Sequence, residues 1–418
     1  MRSSIALVAA AALVVGMGAP AQAYDVQWRD SSELPGDGQV LAVDQADGDV
    51  LAMTVLFQGS QVVRRLDGRT GAVEWSTEVT GGLTSIEVDP TDGRVVLAGA
   101  YQRPLRMVVL DRDGQVLRDE DTGIAMSSVA DLEVDPESGL ACALGPVGGK
   151  RDASGWVTSC WDRSGALAFS RGWRPREGLT IADELLIDAE RDRVYVAGTT
   201  RRVDRARSKR QDLVLLSYDT GGALRWQKRK SGVVFPSRLE AALDPARGRI
   251  HVLAEPTTIR QPTQLFSFDA RGRSRFVRSY RDVGSTFESA VAVTPKGDVV
   301  AVVAAGDRTS IRTYRPSGRL RTTHVVRTAD RGNPGSLIPQ VAIDPVRGRV
   351  HVVNDRGLAR GAVLWSFNAA GRRTSSVLVD TAKSLFPVSI ALHADSGTVV
   401  TSTHAWREGL DQVVSVCP

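Results

Sequence analysis

The sequence predicts an all-β chain: a single eight-bladed β-propeller with four antiparallel strands per blade, closed by an N-terminal strand that completes the last blade. Three observations predict it. A hairpin phrase recurs eight times, a second hairpin phrase falls between its copies, and the two chain ends each supply part of one blade.

The first phrase is an apolar run, Asp, often Pro, a short polar turn with Gly, then a β-branched run. Its copies begin at Asp44, Asp89, Asp135, Asp188, Asp244, Thr294, Asp344 and His393, at intervals of 45, 46, 53, 56, 50, 50 and 49 residues. The second phrase, such as LDGRTG from Leu66, LDRDG from Leu110 or FDARG from Phe268, separates successive copies of the first. Gly gives a tight turn its positive φ, and Asp bonds back to the turn backbone, so both phrases read as hairpins. Two hairpins per period make four short strands, and no amphipathic 3.6-residue pattern follows the first 23 residues. Four-stranded units at this spacing mark propeller blades; a β-helix has shorter periods and a string of sandwich domains longer ones.

The chain ends predict how the ring closes. The eighth copy stops at its third strand, Val413 to Cys417, while Val26-Gln27-Trp28-Arg29 resembles a fourth strand such as Val73-Glu74-Trp75-Ser76. Donating residues 24–30 to blade eight hides an edge otherwise open to aggregation. Trp75, Phe169, Trp226 and Phe276 each lie four residues after the Gly of a second phrase, whereas Arg118, Thr322 and Ser375 hold that position in other copies. Aromatics at one repeated position read as packing between blades.

Residues 1–23 carry a basic start at Arg2, an apolar core from Ile5 to Val15 and the small-x-small end Ala21-Gln22-Ala23, the pattern of a cleaved signal peptide. The domain reading is therefore a signal peptide over 1–23 and one propeller over 24–418. The chain is expected to be secreted or periplasmic, without a lipid anchor or a membrane span, and monomeric. A composition 24% charged and 42% apolar supports a large core, and the net charge of +5 gives a mildly cationic surface. Export and the lack of aromatics among the basic residues argue against nucleic acid.

The pattern Asp67-x-x-Thr70-Gly71-x-x-x-Trp75 resembles the tryptophan-docking repeat of the quinoprotein, or PQQ-like, propeller superfamily. The phrase at 188–198 also resembles the short SBBP and YVTN repeats of secreted bacterial propellers. The resemblance covers nearly the whole mature chain and implies the eight-bladed fold. Quinoprotein alcohol dehydrogenases carry a vicinal Cys pair beside the quinone and a set of calcium-binding acids; no two Cys are adjacent here.

Several residues are candidates for function. The long loop after the second strand of copy four carries Arg201, Arg202, Arg205, Arg207, Lys209 and Arg210, suited to an anionic cell-surface polymer or an acidic protein partner. Asp131, Asp183, Glu184 and Glu240 precede the first-phrase turns on strands that should line the central channel; such acids could hold calcium, though no cofactor is required by any motif. Cys142 and Cys160 fall on adjacent strands and are the disulfide candidates, with matched register the condition. His251 and His351 stand where other copies have Val96, Cys142 or Tyr195, a structural position. No HExxH, GxSxG, Walker loop or CxxC occurs. The expected function is accordingly a non-catalytic exported scaffold that presents its long loops to a protein or cell-envelope polymer. The alternative is an enzyme with its site at the channel mouth, either a quinoprotein-type oxidoreductase or a lyase or hydrolase acting on a polymer.

Overall fold

The computed structural model describes residues 25–417, apart from 33–38, 55–58, 101–103, 148–154, 176–178, 202–209, 235, 257–261, 282–287, 306–307, 329–339, 356–360, 381–384 and 406–409. Eight sheets of four antiparallel strands form a ring: blades 1 to 7 span 39–80, 85–121, 131–173, 179–234, 236–280, 288–327 and 340–380, and blade 8 combines 385–417 with 25–32. In each blade the first strand is innermost, and each inner strand touches that of the next blade, blade 8 meeting blade 1. The expected fold and its manner of closure are therefore both observed.

Closure is a register match. Asp25–Ser32 runs antiparallel to Leu410–Cys417, with Val26 opposite Val416 and Trp28 opposite Ser415. Gln27 is the extra residue of a bulge, which turns the Trp28 side chain out of simple alternation. Trp28 is buried in a cluster with Leu41, Val50 and Leu66 of blade 1 and Val400 and Val413 of blade 8. Its indole nitrogen donates to the Gly68 carbonyl at 3.0 Å. A Cβ at Gly71 would sit 2.5 Å from the Trp28 ring, and Gly71 also has φ +72°, so glycine is required there twice over.

This contact is the repeated joint of the ring. Trp75 lies against Gly114 and donates to the Arg112 carbonyl, Trp226 lies near Gly272 and donates to the Ala270 carbonyl, and Phe169 and Phe276 cover Gly222 and Gly318. Blade 6 departs from the aligned position: His324, two residues beyond Thr322 and on the same strand face, covers Gly371. Ser375 in blade 7 has no such glycine to meet, because the outer hairpin of blade 8 is replaced by the two chain ends.

A second joint ties inner hairpins to the hairpins of the next blade. The turn Asp of several copies is buried and takes a guanidinium from its own turn, as in Asp89 with Arg94 and Asp344 with Arg347. The arginine then reaches a carbonyl of the next blade: Arg94 to Arg163, Arg247 to Lys296 at 3.0 Å, Arg347 to Ala394 at 2.5 Å. Two of these turns, Ala189–Arg191 and Pro245–Arg247, tighten into single 3-10 turns.

Cys142 and Cys160 are directly paired across strands two and three of blade 3 and form a disulfide. It sits in the core between blades 3 and 4 with Trp156 and Phe169. Replacing both cysteines by Ala is expected to cost about 3 kcal/mol, the loop entropy of an 18-residue separation, and a denaturant titration checks it.

Candidate functional site

Inner strands have one free edge, facing the axis of the ring, and its N–H groups need acceptors. Side chains four residues before the turn supply them from the preceding blade. Asp131 of blade 3 accepts from Leu185 N of blade 4 at 2.7 Å, Glu184 of blade 4 from Ala241 N of blade 5 at 3.2 Å, and Ser389 of blade 8 from Leu41 N of blade 1 at 3.3 Å. Glu240 is half-buried at the equivalent place in blade 5. Asp183 is the extra residue of a bulge in the inner strand of blade 4.

The four acids expected to hold calcium are thus spread along three consecutive blades, and two of them bind backbone N–H groups. Among the described residues, the oxygens close enough to share one ion belong instead to Asp49, Asp67 and Glu74. That group is already engaged: Arg65, itself buried, pairs with Asp49 at 2.8 Å and Glu74 at 3.1 Å, while Asp67 accepts from its own turn at Thr70. Of the basic loop, 202–209 lies outside the described residues, including Arg202, Arg205, Arg207 and Lys209, and Arg201 and Arg210 are placed only as strand ends.

The perturbed acids lie elsewhere. Two residues before the turn, six inner strands carry Ala42, Leu186, Ala242, Ala292, Ala342 and Ala391, whereas blades 2 and 3 carry Glu87 and Glu133. Both glutamates are half-buried on the inner strands Ser85–Val88 and Asp131–Val134, with Asp131 on the same strand face as Glu133. Small apolar neighbours around the ring leave the two carboxyls poorly solvated. The Glu87 carboxyl is pushed up to about 8, by burial first and then by the Asp131 charge. Glu133 is pushed well above the usual carboxylate range by burial, then by Asp131 and Glu87. Asp131 accepts from both Leu132 N, at 2.9 Å, and Leu185 N, and such donors favour the charged form of a carboxylate. The arrangement therefore raises the proton affinity of two carboxyls, Glu87 to about 8, beside a third that accepts two backbone N–H groups, the kind of contrast in environment that acid–base chemistry uses.

Glu87 was not among the candidates read from the sequence. Its signal was there: it occupies the position of Glu133 in the repeat, where most copies place Ala.

No protein-family model and no curated protein sequence matches the chain. Solved structures do. The quinohemoprotein alcohol dehydrogenase of Pseudomonas putida HK5 superposes at TM-score 0.59 with 12% identity, covering 94% of this chain and 76% of the enzyme. That of Comamonas testosteroni does so at TM-score 0.58 with 12% identity over the same shares. Kuenenia stuttgartiensis hydrazine synthase follows at TM-score 0.50 and 13% identity, covering 92% of this chain and 96% of that one. At these identities the likeness establishes the fold alone, an eight-bladed propeller. It also corrects the expectation of a non-catalytic scaffold. That expectation rested on the lack of a recognisable catalytic motif, yet rings of this construction include enzymes with which this chain shares little sequence, so motif absence does not support a non-catalytic role.

The quinone itself does not fit the residues present. The one disulfide joins Cys142 to Cys160 inside a blade core rather than linking neighbours in sequence, and Asp131 and Glu184 are committed to backbone donors.

Proposed function

We propose that the chain is an enzyme that uses its central-channel carboxyls as general acid and base, cleaving a polymer by hydrolysis or elimination. The observation that supports it is the Glu87–Asp131–Glu133 group on the inner strands of blades 2 and 3, in which burial first and then the Asp131 charge raise the proton affinity of both glutamates, Glu87 to about 8. A carboxyl tuned towards the working pH is the usual means of protonating a leaving group, worth about 100- to 10,000-fold in rate. Asp131 positions and polarises the pair and binds the neighbouring blade. The two glutamates are the residues expected to meet substrate.

We also propose that the protein works outside the cytoplasm. The N-terminal sequence has the form of an export signal, the Cys142–Cys160 disulfide suits an oxidising compartment, and among the described residues no helix is long and apolar enough to cross a membrane.

Glu87→Gln and Glu133→Gln keep the neutral shape of the protonated acid. Each is expected to reduce cleavage of any polysaccharide that the wild type degrades by about 100-fold or more, with melting temperature retained. Carboxyl 13C NMR supplies a readout independent of substrate: Glu87 is expected to titrate near 8. Ordinary titration of both glutamates near the free carboxylate value, or full activity in both variants, overturns the reading.

A further inference from the structure

The joint between blades 2 and 3 is built differently from its neighbours. Where Trp75, Phe169, Trp226 and Phe276 put a ring over the glycine of the next outer hairpin, Arg118 lays its guanidinium against Gly165. A guanidinium is thinner and shorter in its apolar contact than an indole, and the space left over is a cleft of about 190 Å³. A second cleft opens between blades 6 and 7 where Thr322 stands at the docking position. A third cleft lies between blades 4 and 5 beside Gly272, where Trp226 is in place, so the missing aromatic accounts for the first two only.

The two clefts differ in what lines them. That between blades 6 and 7 is edged by Thr294, Lys296 and the Arg321–Asp298 pair. The one between blades 2 and 3 has an apolar floor of Met107, Val109 and Trp161, all buried, with Leu117 exposed at its rim. Around that floor stand Arg94, Arg118 and Arg163, an excess of one over the carboxylates Asp89 and Asp162 that also line it. Arg94 is engaged by Asp89 and Asp92. Arg118 pairs with Glu120, two residues away on an outer strand, with both partners about one-third exposed, and its charge also acts on Asp162; a pair in that setting is weak and readily exchanged. The Nε of Arg163 is buried without an acceptor, although its Nη2 reaches the Pro136 carbonyl at 3.3 Å and Asp89 at 3.4 Å. A buried guanidinium donor without an acceptor is costly and is relieved by a carboxylate oxygen.

We propose that the cleft between blades 2 and 3 binds a small aromatic carboxylate, whose ring lies on the apolar floor in the space that Arg118 leaves unfilled and whose acid group meets Arg118 and Arg163. The apolar floor accepts a flat ring face; the arginines select a negative charge at one edge. The cleft admits a single substituted ring, smaller than the roughly 300–1,000 Å³ sites that take larger ligands. The site lies on the outer-hairpin side of the joint, apart from the channel carboxyls, and is independent of the proposed acid–base chemistry.

Benzoate is the probe. Isothermal titration of the whole protein with benzoate is expected to show one site with Kd on the order of 1 mM or tighter, as a ligand of this size allows. Benzyl alcohol and cyclohexanecarboxylate, which lack the acid and the flat ring respectively, are expected to bind at least tenfold more weakly. Arg118→Trp, which installs the side chain found at Trp75 and Trp226, is expected to fill the cleft, abolish binding and leave the melting temperature equal or higher. Arg163→Gln, which removes the charge without filling space, is expected to weaken benzoate at least tenfold and serves if the first variant does not fold. Failure of the wild type to bind benzoate overturns the proposal, as does benzyl alcohol binding as well as benzoate, or unchanged affinity in either variant.

Discussion

Trp28→Ala is expected to lower stability by about 3–5 kcal/mol through the buried indole alone, with a further ~1 kcal/mol from the lost bond to the Gly68 carbonyl. In a chain of this size that amounts to a fall of roughly 5–10 °C in melting temperature. The effect exceeds that of Trp75→Ala, because Trp75 is only half-buried and its blade is held together by continuous chain on both sides. Trp28 instead lies on a strand joined to blade 8 only by hydrogen bonds, and its cluster spans blades 8 and 1. Arg29 extends the same strand to the other neighbour, donating to the carbonyls of Val379 and of Leu378, the latter at 2.9 Å, in blade 7. Deleting residues 24–30 removes all three attachments and bares the edge of Leu410–Cys417, so the truncated protein should melt lower than Trp28→Ala and aggregate. Thermal melts by circular dichroism decide it; an unchanged midpoint in the truncated protein would show that closure contributes nothing.

The ring was legible in the sequence because its joints repeat. Asp44, Asp89 and their counterparts mark one hairpin, the Asp67–Gly71 type of turn marks the other, and Trp28 could be aligned with Trp75 although one precedes the first blade and the other completes it. The disulfide was legible as a candidate, but Cys142 meets Cys160 only once the register of two strands is fixed, and register depends on the intervening loop, which local sequence does not determine. The site was harder to read for a different reason. Asp131 and Glu184 stand out as acids near the channel, yet they serve free backbone N–H groups of the next blade, and that need arises only when eight inner strands are closed into a ring. Glu87 has no distinctive neighbour in sequence; its surroundings are alanines from distant copies. Arg118 shows up in the sequence merely as a position without an aromatic, and whether such a position is collapsed or open depends on the packing of two blades.

The pH dependence of stability should carry two opposing limbs, each traceable to named groups. Burial, with the Arg249 charge, lowers His251 to about 4, and burial with the Arg349 charge lowers His351 to about 3. A histidine whose folded value lies below its unfolded value near 6.5 binds protons more readily when unfolded. Stability is therefore intact above 6.5 and falls as pH drops towards 4, by about 3 kcal/mol for His251. Glu87 and Glu133 act in the reverse sense: their folded values are raised, so stability is full below about 4.5 and falls as pH rises, for Glu87 until about 8. Urea titrations at pH 4.0, 5.5 and 8.5 separate the limbs. His251→Val, the residue found at the equivalent Val96 and Val300, is expected to flatten the acid limb and leave the alkaline one. Glu87→Gln is expected to stabilise the protein at pH 8.5 relative to pH 5.5, because an amide bears no charge that must be desolvated. Parallel slopes in wild type and both variants would mean that these groups titrate alike folded and unfolded. The alkaline limb ties stability to the proposed chemistry: a carboxyl kept protonated in the channel costs the fold more as pH rises, and replacing it recovers that cost while removing the acid.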